Sequence, residues 1–184
     1  LLIIDVSNGL NYTYGMEELW MSPNNYLMLA KNIRDYLTEY LQSKTIIDYV
    51  DAQYATLSEN LSLKDADLRA IGKEADSKGS NTLVVSDNVF QFLENYGFEI
   101  VSLDEETLTE SSLNNIRDAF DDGTYNTIFV LDNNYTENIN STIEDFEANT
   151  IDISSMTTED SENSDCLNNM QLFIDNIRNL TLAD

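Results

Sequence analysis

Acidic and hydroxyl side chains stand at four places where this sequence leaves a predicted strand or enters a loop. Glu18 lies in an acidic-aromatic loop ahead of a long predicted helix. Asp87, Asp132 and Ser154 each follow a predicted strand. Their oxygen atoms can accept hydrogen bonds or bind a hard cation such as Mn²⁺, Mg²⁺ or Ca²⁺. Open α/β sheets carry their sites at the carboxyl ends of their strands, so these positions are our candidate functional residues.

Other chemistry is excluded by what the sequence lacks. The chain has no histidine, which excludes histidine-based catalytic triads and histidine pH switches. The single cysteine, Cys166, excludes an intrachain disulfide and a cysteine-rich metal site, and its place on an apolar helical stripe predicts a small buried side chain. The six glycines are isolated and form no phosphate-binding loop. With no nucleophile paired to a base, we predict that the protein is not an enzyme.

The charge balance narrows the classes of partner. Lys and Arg total 9 against 34 Asp and Glu, a formal net charge of −25. Binding to nucleic acid or to an anionic membrane requires clustered basic residues, so both are excluded. Solubility is the simplest reason for so much acid, with a cation-binding role as the alternative. The length of 184 residues suffices for one domain with a core, or for a domain with an appendage.

Two helical patterns in succession precede the strand-rich part and form a predicted spine. Ser22 is a suitable N-cap, and Pro23 stands at the first helical position, where its missing N–H costs nothing. This first helix should run to about residue 42. A second apolar stripe extends from Ile46 to Ala75 and is closed by Gly79. The stripe slips at residues 62–64, which predicts a kink or a break.

Strands and short helices alternate after the spine. The patterns predict a buried strand at residues 1–6, further strands at 82–85, 98–101, 127–131 and 150–153, helices at 88–96, 108–121, 135–146 and 166–180, and an acidic loop at 157–165. This alternation predicts an α/β fold, with a four-stranded, mainly parallel sheet and helices on both faces. We divide the chain into a remnant strand and loop (1–15), the acidic-aromatic loop with the helical spine (16–79) and an α/β lobe (80–184).

The spine carries a resemblance to a known family. In the zinc/manganese solute-binding proteins of bacterial ABC importers, also called adhesin lipoproteins, a D-P-H-x-W-L-D-P loop opens the long helix that joins two lobes. Here the loop reads M-E-E-L-W-M-S-P, so Trp20, Met21 and Pro23 match, and Glu18 stands in the place of the metal-binding histidine.

Three later motifs are similar to the same family. Residues 84–98 (V-V-S-D-N-V-F-Q-F-L-E-N-Y-G-F) resemble V-x-S-H-D-A-F-x-Y-F-x-x-x-Y-G-L, with Asp87 in the place of its histidine. The strand before Asp132 resembles an I-F-x-E stretch, in which Leu131 or Asp132 holds the acidic place according to a one-residue register. Residues 148–156 are similar to A-x-x-x-x-L-D-P-L, with Ser154 in place of the aspartate. The resemblance extends over essentially the whole chain.

The resemblance implies a metal site at Glu18, Asp87, Asp132 and Ser154, in a spine and C-terminal lobe that serve a metal ABC importer. High-affinity zinc sites use imidazole nitrogen or thiolate, whereas these residues offer only oxygen, which suits Mn²⁺, Ca²⁺ or Mg²⁺ better. The implied partners are a divalent cation and the importer permease, and the implied location is extracellular or at the cell surface, from a lipid-anchored precursor. The alternative is a structural or protein-interaction module of the same fold that binds no metal.

The segment Leu1–Val6 corresponds, in that resemblance, to the final strand of a first lobe. The sequence begins without methionine inside this predicted strand, so we expect the chain to be the remainder of a longer precursor. The segment would lack its usual partner strand, and we therefore predict that it pairs on its own sheet edge or on another chain. The second case would produce self-association.

Overall fold

The computed structural model of this protein describes residues 3–156 and 166–182, so the predicted loop at 157–165 lies outside the described residues. The elements are α1 (Glu18–Met21), α2 (Pro23–Tyr40), α3 (Lys44–Lys78), β1 (Thr82–Val85), a 3₁₀ helix (Asn88–Tyr96), β2 (Glu99–Ser102), α4 (Glu110–Asp121), β3 (Thr127–Leu131), α5 (Glu137–Phe146), β4 (Asn149–Ile153) and α6 (Cys166–Leu182). Within these ranges, no helix combines the length and hydrophobicity that crossing a bilayer demands.

The four strands form one parallel sheet in the order β2-β1-β3-β4. Successive residues of β1 point to opposite faces, because side chains alternate along a strand. Leu83 and Val85 pack with α3, the 3₁₀ helix and α6, whereas Val84 packs with α4 and α5. Both faces are thus covered by helices, which confirms the predicted α/β fold with a helical spine ahead of it.

The start of α2 follows the local sequence rules. Ser22 is in extended conformation, and its hydroxyl accepts a hydrogen bond from the backbone N–H of Asn25 at 3.4 Å. Pro23 occupies the first turn, where no intrahelical partner for an N–H exists. The helix ends at Tyr40, close to its predicted end at residue 42.

Helix α3 runs for 35 residues without interruption, so the predicted break at residues 62–64 is wrong. All of its buried residues lie at or beyond Leu61. The N-terminal half pairs with α2, where Arg34 contacts Asp51 at 2.7 Å, and Lys64 already reaches Gln171 of α6. The slip in the apolar stripe therefore coincides with a change of packing partner.

The predicted strand at residues 1–6 is wrong for its described part. Residues 3–5 belong to no strand, and a turn begins at residue 6. The Asp5 carboxylate accepts hydrogen bonds from the backbone and hydroxyl of Ser7, which bends the chain, and Asn32 of α2 donates its amide to the Val6 carbonyl at 2.8 Å. The segment thus runs beside α2 instead of pairing with a sheet edge of its own chain.

Candidate functional site

The candidate residues after the strands lie at one edge of the sheet. Asp87, Asp132 and Ser154 follow β1, β3 and β4, which are neighbours and run parallel, so their carboxyl ends meet at the same edge. Two hydrogen bonds tie these ends together. The Leu131 N–H donates to the Ser86 hydroxyl at 2.9 Å, and the Ser155 N–H donates to Oδ1 of Asp132 at 2.7 Å. We call this edge, together with the loops above it, the rim.

Helix α1 brings the acidic-aromatic loop to the rim. The Trp20 indole Nε1–H donates to the Ser155 carbonyl at 2.8 Å, so α1 is fastened to the chain that follows β4. Met21 is fully buried in the same core cluster as Phe90 of the 3₁₀ helix. The peptide groups around Ser155 thus join α1 on one side to Asp132 on the other.

Glu18 is buried, with 5% of its surface exposed, and its carboxylate turns back toward its own loop. Its Oε1 accepts hydrogen bonds from three successive backbone N–H groups, of Thr13 at 2.9 Å, Tyr14 at 2.6 Å and Gly15 at 3.3 Å. A buried carboxylate is costly unless such donors stabilise its charge. The three donors therefore explain how an acidic residue occupies this position.

Asp87 is half-buried and caps the 3₁₀ helix. Its Oδ1 accepts a hydrogen bond from the Val89 N–H at 2.8 Å, which satisfies a donor at the start of the helix. Burial raises the pKa of the Asp87 carboxyl above its ordinary value, and the negative charges of Asp104, Glu17 and Glu106 raise it further. The N–H of Val89 acts in the opposite direction. A cation placed here would relieve this repulsion.

Asp132 and Ser154 are the exposed members of the set. Asp132 has a left-handed backbone (φ 48°), whereas the side chain of Leu131 packs against the core. At the end of β3, therefore, it is the Asp132 carboxylate that lies at the rim. Ser154 accepts a hydrogen bond from the Met156 N–H at 3.0 Å through its hydroxyl.

The rim supplies oxygen donors without a compact cluster. Among residues 3–156 and 166–182, no three His, Cys, Asp or Glu side chains converge in the manner of a metal centre. Glu18 accepts three backbone N–H groups through Oε1, whereas Asp87 and Asp132 each accept one through Oδ1. The second carboxylate oxygens of Asp87 and Asp132 are the atoms with which a cation could be held. In metal sites, hydrogen bonds from neighbouring groups fix the orientation of the carboxylates that bind the metal, and these N–H groups fix the rim carboxylates in the same way.

Asp104 is a further rim residue, outside the four candidates. Its Oδ2 accepts hydrogen bonds from the backbone and side-chain amides of Asn88, at 3.3 and 3.0 Å, and its charge acts on Asp87. The available signal was its position two residues after β2, the strand beside β1. Recognising it required knowing that β2 is a neighbour of β1.

Family comparison agrees with the fold and covers almost the whole chain. Residues 8–180 match the family model described as the periplasmic zinc-uptake complex component A, ZnuA. Among curated proteins, none matches this sequence.

Solved structures with the same fold come from several bacteria. The metal-dependent lipoprotein YcdH of Bacillus subtilis is 16% identical with a TM-score of 0.74, and the match covers 98% of this chain and 70% of that one. The Zn(II)-bound ZnuA-like domain of Streptococcus pneumoniae AdcA is 17% identical with a TM-score of 0.72, covering 97% and 69%. The Cd-bound periplasmic metal-binding protein of Candidatus Liberibacter asiaticus is 17% identical with a TM-score of 0.70, covering 96% and 71%. At such identities the likeness establishes the fold.

Proposed function

Because this chain belongs to the family of the periplasmic zinc-uptake complex component A, we propose that it is the solute-binding part of an ABC importer for a divalent cation. The cation is cargo, held at the rim and released to the permease. The protein carries out no catalysis, and it acts outside the cell or at the cell surface, from a lipid-anchored precursor.

The donor set carries the proposal. Glu18, Asp87, Asp132 and Ser154 are the proposed site residues, and with no histidine in the chain every side-chain donor among them is oxygen. Oxygen ligands suit Mn²⁺, Ca²⁺ or Mg²⁺, whereas strong zinc sites depend on nitrogen or sulfur. Binding should therefore be weaker than at a site lined with histidine. The mutual repulsion of carboxylates around Asp87 supports a cation at this place.

A second candidate function is a protein-interaction module of the same fold that binds no metal. The inward turn of Glu18 favours it, since three backbone N–H groups already occupy one of its oxygens. Under this alternative the rim is a structural remnant. Self-association through Leu1–Val6 and the division at residues 15 and 79 remain predictions in both cases.

A crystal soaked in manganese separates the two functions. The proposal predicts an anomalous peak within coordinating distance of the Asp87 and Asp132 carboxylates. A peak confined to surface acids far from the rim, such as Asp118 and Asp121 of α4, would favour the interaction module. The same soak of an Asp87→Asn/Asp132→Asn variant is the control, and its rim should be empty.

A further inference from the structure

The inward carboxylate of Glu18 has a contact pattern that a cation ligand does not need. Three consecutive N–H groups, of residues 13–15, converge on the single atom Oε1. The Glu18 N–H donates to the Gly15 carbonyl at 3.3 Å. Glu18, the first residue of α1, thus both accepts hydrogen bonds from the turn and donates one to it. The side chain is 5% exposed, which leaves it little contact with solvent ions.

Three converging N–H groups need an acceptor with more than one lone pair. A carboxylate or amide oxygen has two lone pairs that converging N–H groups can share, whereas a neutral imidazole has one acceptor nitrogen. The exchange of histidine for Glu18, at the place the family resemblance marks, therefore changes what the residue can do for its own loop. It removes a nitrogen donor for zinc and supplies an internal acceptor for the turn.

The turn that Glu18 holds lies against the residue that orients Asp87. A Cβ built on Gly15 would lie 3.6 Å from Cγ2 of Val89, so the Gly15 backbone is a close neighbour of that side chain. Val89 in turn donates its N–H to Asp87. The turn held by Glu18 therefore lies beside Val89, whose N–H orients the candidate cation ligand at the end of β1.

We propose that Glu18 is a positioning residue, which orders the turn at residues 13–15 and holds α1 on the rim in place of a metal ion. It acts on cation binding through Asp87 rather than by coordination. The rim is consequently ordered before any cation arrives. This inference rests on the proposed function for its cation-binding part, while its structural part stands without it.

The test compares Glu18→Gln with Glu18→Ala in the 184-residue chain. The amide of Glu18→Gln keeps an oxygen that accepts the three N–H groups, whereas alanine removes the acceptor. Glu39→Gln is the matched control, because it removes the same charge from an exposed position near the other end of α2. Three signals are measured with chelator present and then with Mn²⁺: hydrogen exchange at residues 13–15, emission of Trp20, the single tryptophan, and Mn²⁺ affinity.

With chelator present, the wild type, Glu18→Gln and Glu39→Gln should protect residues 13–15 and show the same Trp20 emission. Glu18→Ala should exchange at least about tenfold faster in the turn and shift Trp20 emission to the red, since α1 loosens. In the Mn²⁺ titration, Glu18→Gln should keep the wild-type affinity, and Glu18→Ala should lose about tenfold or more.

Two results would overturn the inference. If Glu18→Gln loses Mn²⁺ binding as fully as Asp87→Asn while its turn stays protected, Glu18 is a ligand and the proposed function survives. If the wild-type turn exchanges freely until Mn²⁺ is added, the cation and not Glu18 orders it. Absence of Mn²⁺ binding in every variant would instead defeat the proposed function, and the exchange data with chelator would still decide the structural part.

Discussion

Each acidic side chain that the sequence assigned to the rim is engaged with the backbone. Glu18 accepts from the loop before it, Asp87 from the first turn of the 3₁₀ helix and Asp132 from the chain after β4. Such charge-assisted hydrogen bonds fix the direction of a carboxylate. The sequence could identify Asp87 and Asp132 by their positions after strands, and Glu18 by its place in the loop ahead of the long helix. It could not reveal their partners, because a side chain's choice of donor depends on loop geometry.

The raised pKa of the Asp87 carboxyl should make the stability of the folded protein depend on pH. An acid whose folded-state pKa is higher than its unfolded value keeps its proton longer in the folded state, so its ionisation opposes folding. Its contribution to the free energy of unfolding falls as pH rises from the unfolded pKa through the raised one. Asp87→Asn keeps a capping side chain and abolishes this titration. The stability of Asp87→Asn relative to wild type, measured by urea unfolding, should therefore increase from about pH 4 to about pH 7.

Asp87→Ala provides the comparison for this experiment. It removes the titrating group and the cap together, and the lost hydrogen bond to the Val89 N–H should cost about 1 kcal/mol at every pH. The difference between the asparagine and alanine variants should thus be independent of pH. A relative stability of Asp87→Asn that falls toward neutral pH would mean that the Asp87 charge is stabilised in the folded protein.

Elements with local signals were predictable, and elements defined by distant contacts were not. The Ser22-Pro23 pair marked the start of α2, and the glycine in left-handed conformation at Gly79 marked the end of α3. The apolar run at residues 1–6 has the composition of a strand, yet its described part folds beside α2, where the Asp5 turn and Asn32 fix it. Composition does not say which neighbour an apolar segment meets.

Close packing between α3 and the 3₁₀ helix depends on Gly72. A Cβ at this position would lie 1.9 Å from the Tyr96 carbonyl oxygen, which belongs to the backbone and cannot rotate away. Gly72→Ala should therefore push the two elements apart and lower the free energy of unfolding by about 1–3 kcal/mol, measured by urea titration. Lys73→Ala, at the exposed neighbouring position, is the control and should change it little. Equal stability of the two variants would contradict the close approach.

On the scale of the whole molecule, the net charge of −25 is the dominant electrostatic feature. The ion pairs of the described residues are largely solvent-exposed, and exposed pairs contribute at most about 1 kcal/mol each. Repulsion among unpaired acids therefore works against the compact state.

Screening this repulsion should stabilise the protein. Between about 10 mM and about 1 M NaCl the Debye length falls from about 30 Å to about 3 Å, so the free energy of unfolding in urea should rise. MgCl₂ at equal ionic strength is the control for specific binding, since stabilisation beyond that of NaCl would come from sites for the cation. A stability that falls with NaCl would mean that ion pairs outweigh the repulsion.

The topology brings together rim residues that are far apart in the chain. Trp20 meets Ser155, and Ser155 meets Asp132, only because β3 and β4 are neighbours and α1 crosses their carboxyl ends. The alternation of strands and helices predicted that such an edge exists. Strand order, and with it the neighbourhood of Asp104 and Asp87, follows from packing that no local pattern encodes.

Calorimetric titration of Mn²⁺ into three proteins tests the cation site most directly. In Asp87→Asn/Asp132→Asn, two rim charges are removed, but the asparagine oxygens can still accept the hydrogen bonds from the Val89 and Ser155 N–H groups. In the control, Asp118→Asn/Asp121→Asn, two exposed charges are removed from α4. We predict saturable binding to the wild type and the α4 variant, and a loss of affinity of at least about tenfold in the rim variant. Identical heats for all three proteins would contradict a cation site at the rim.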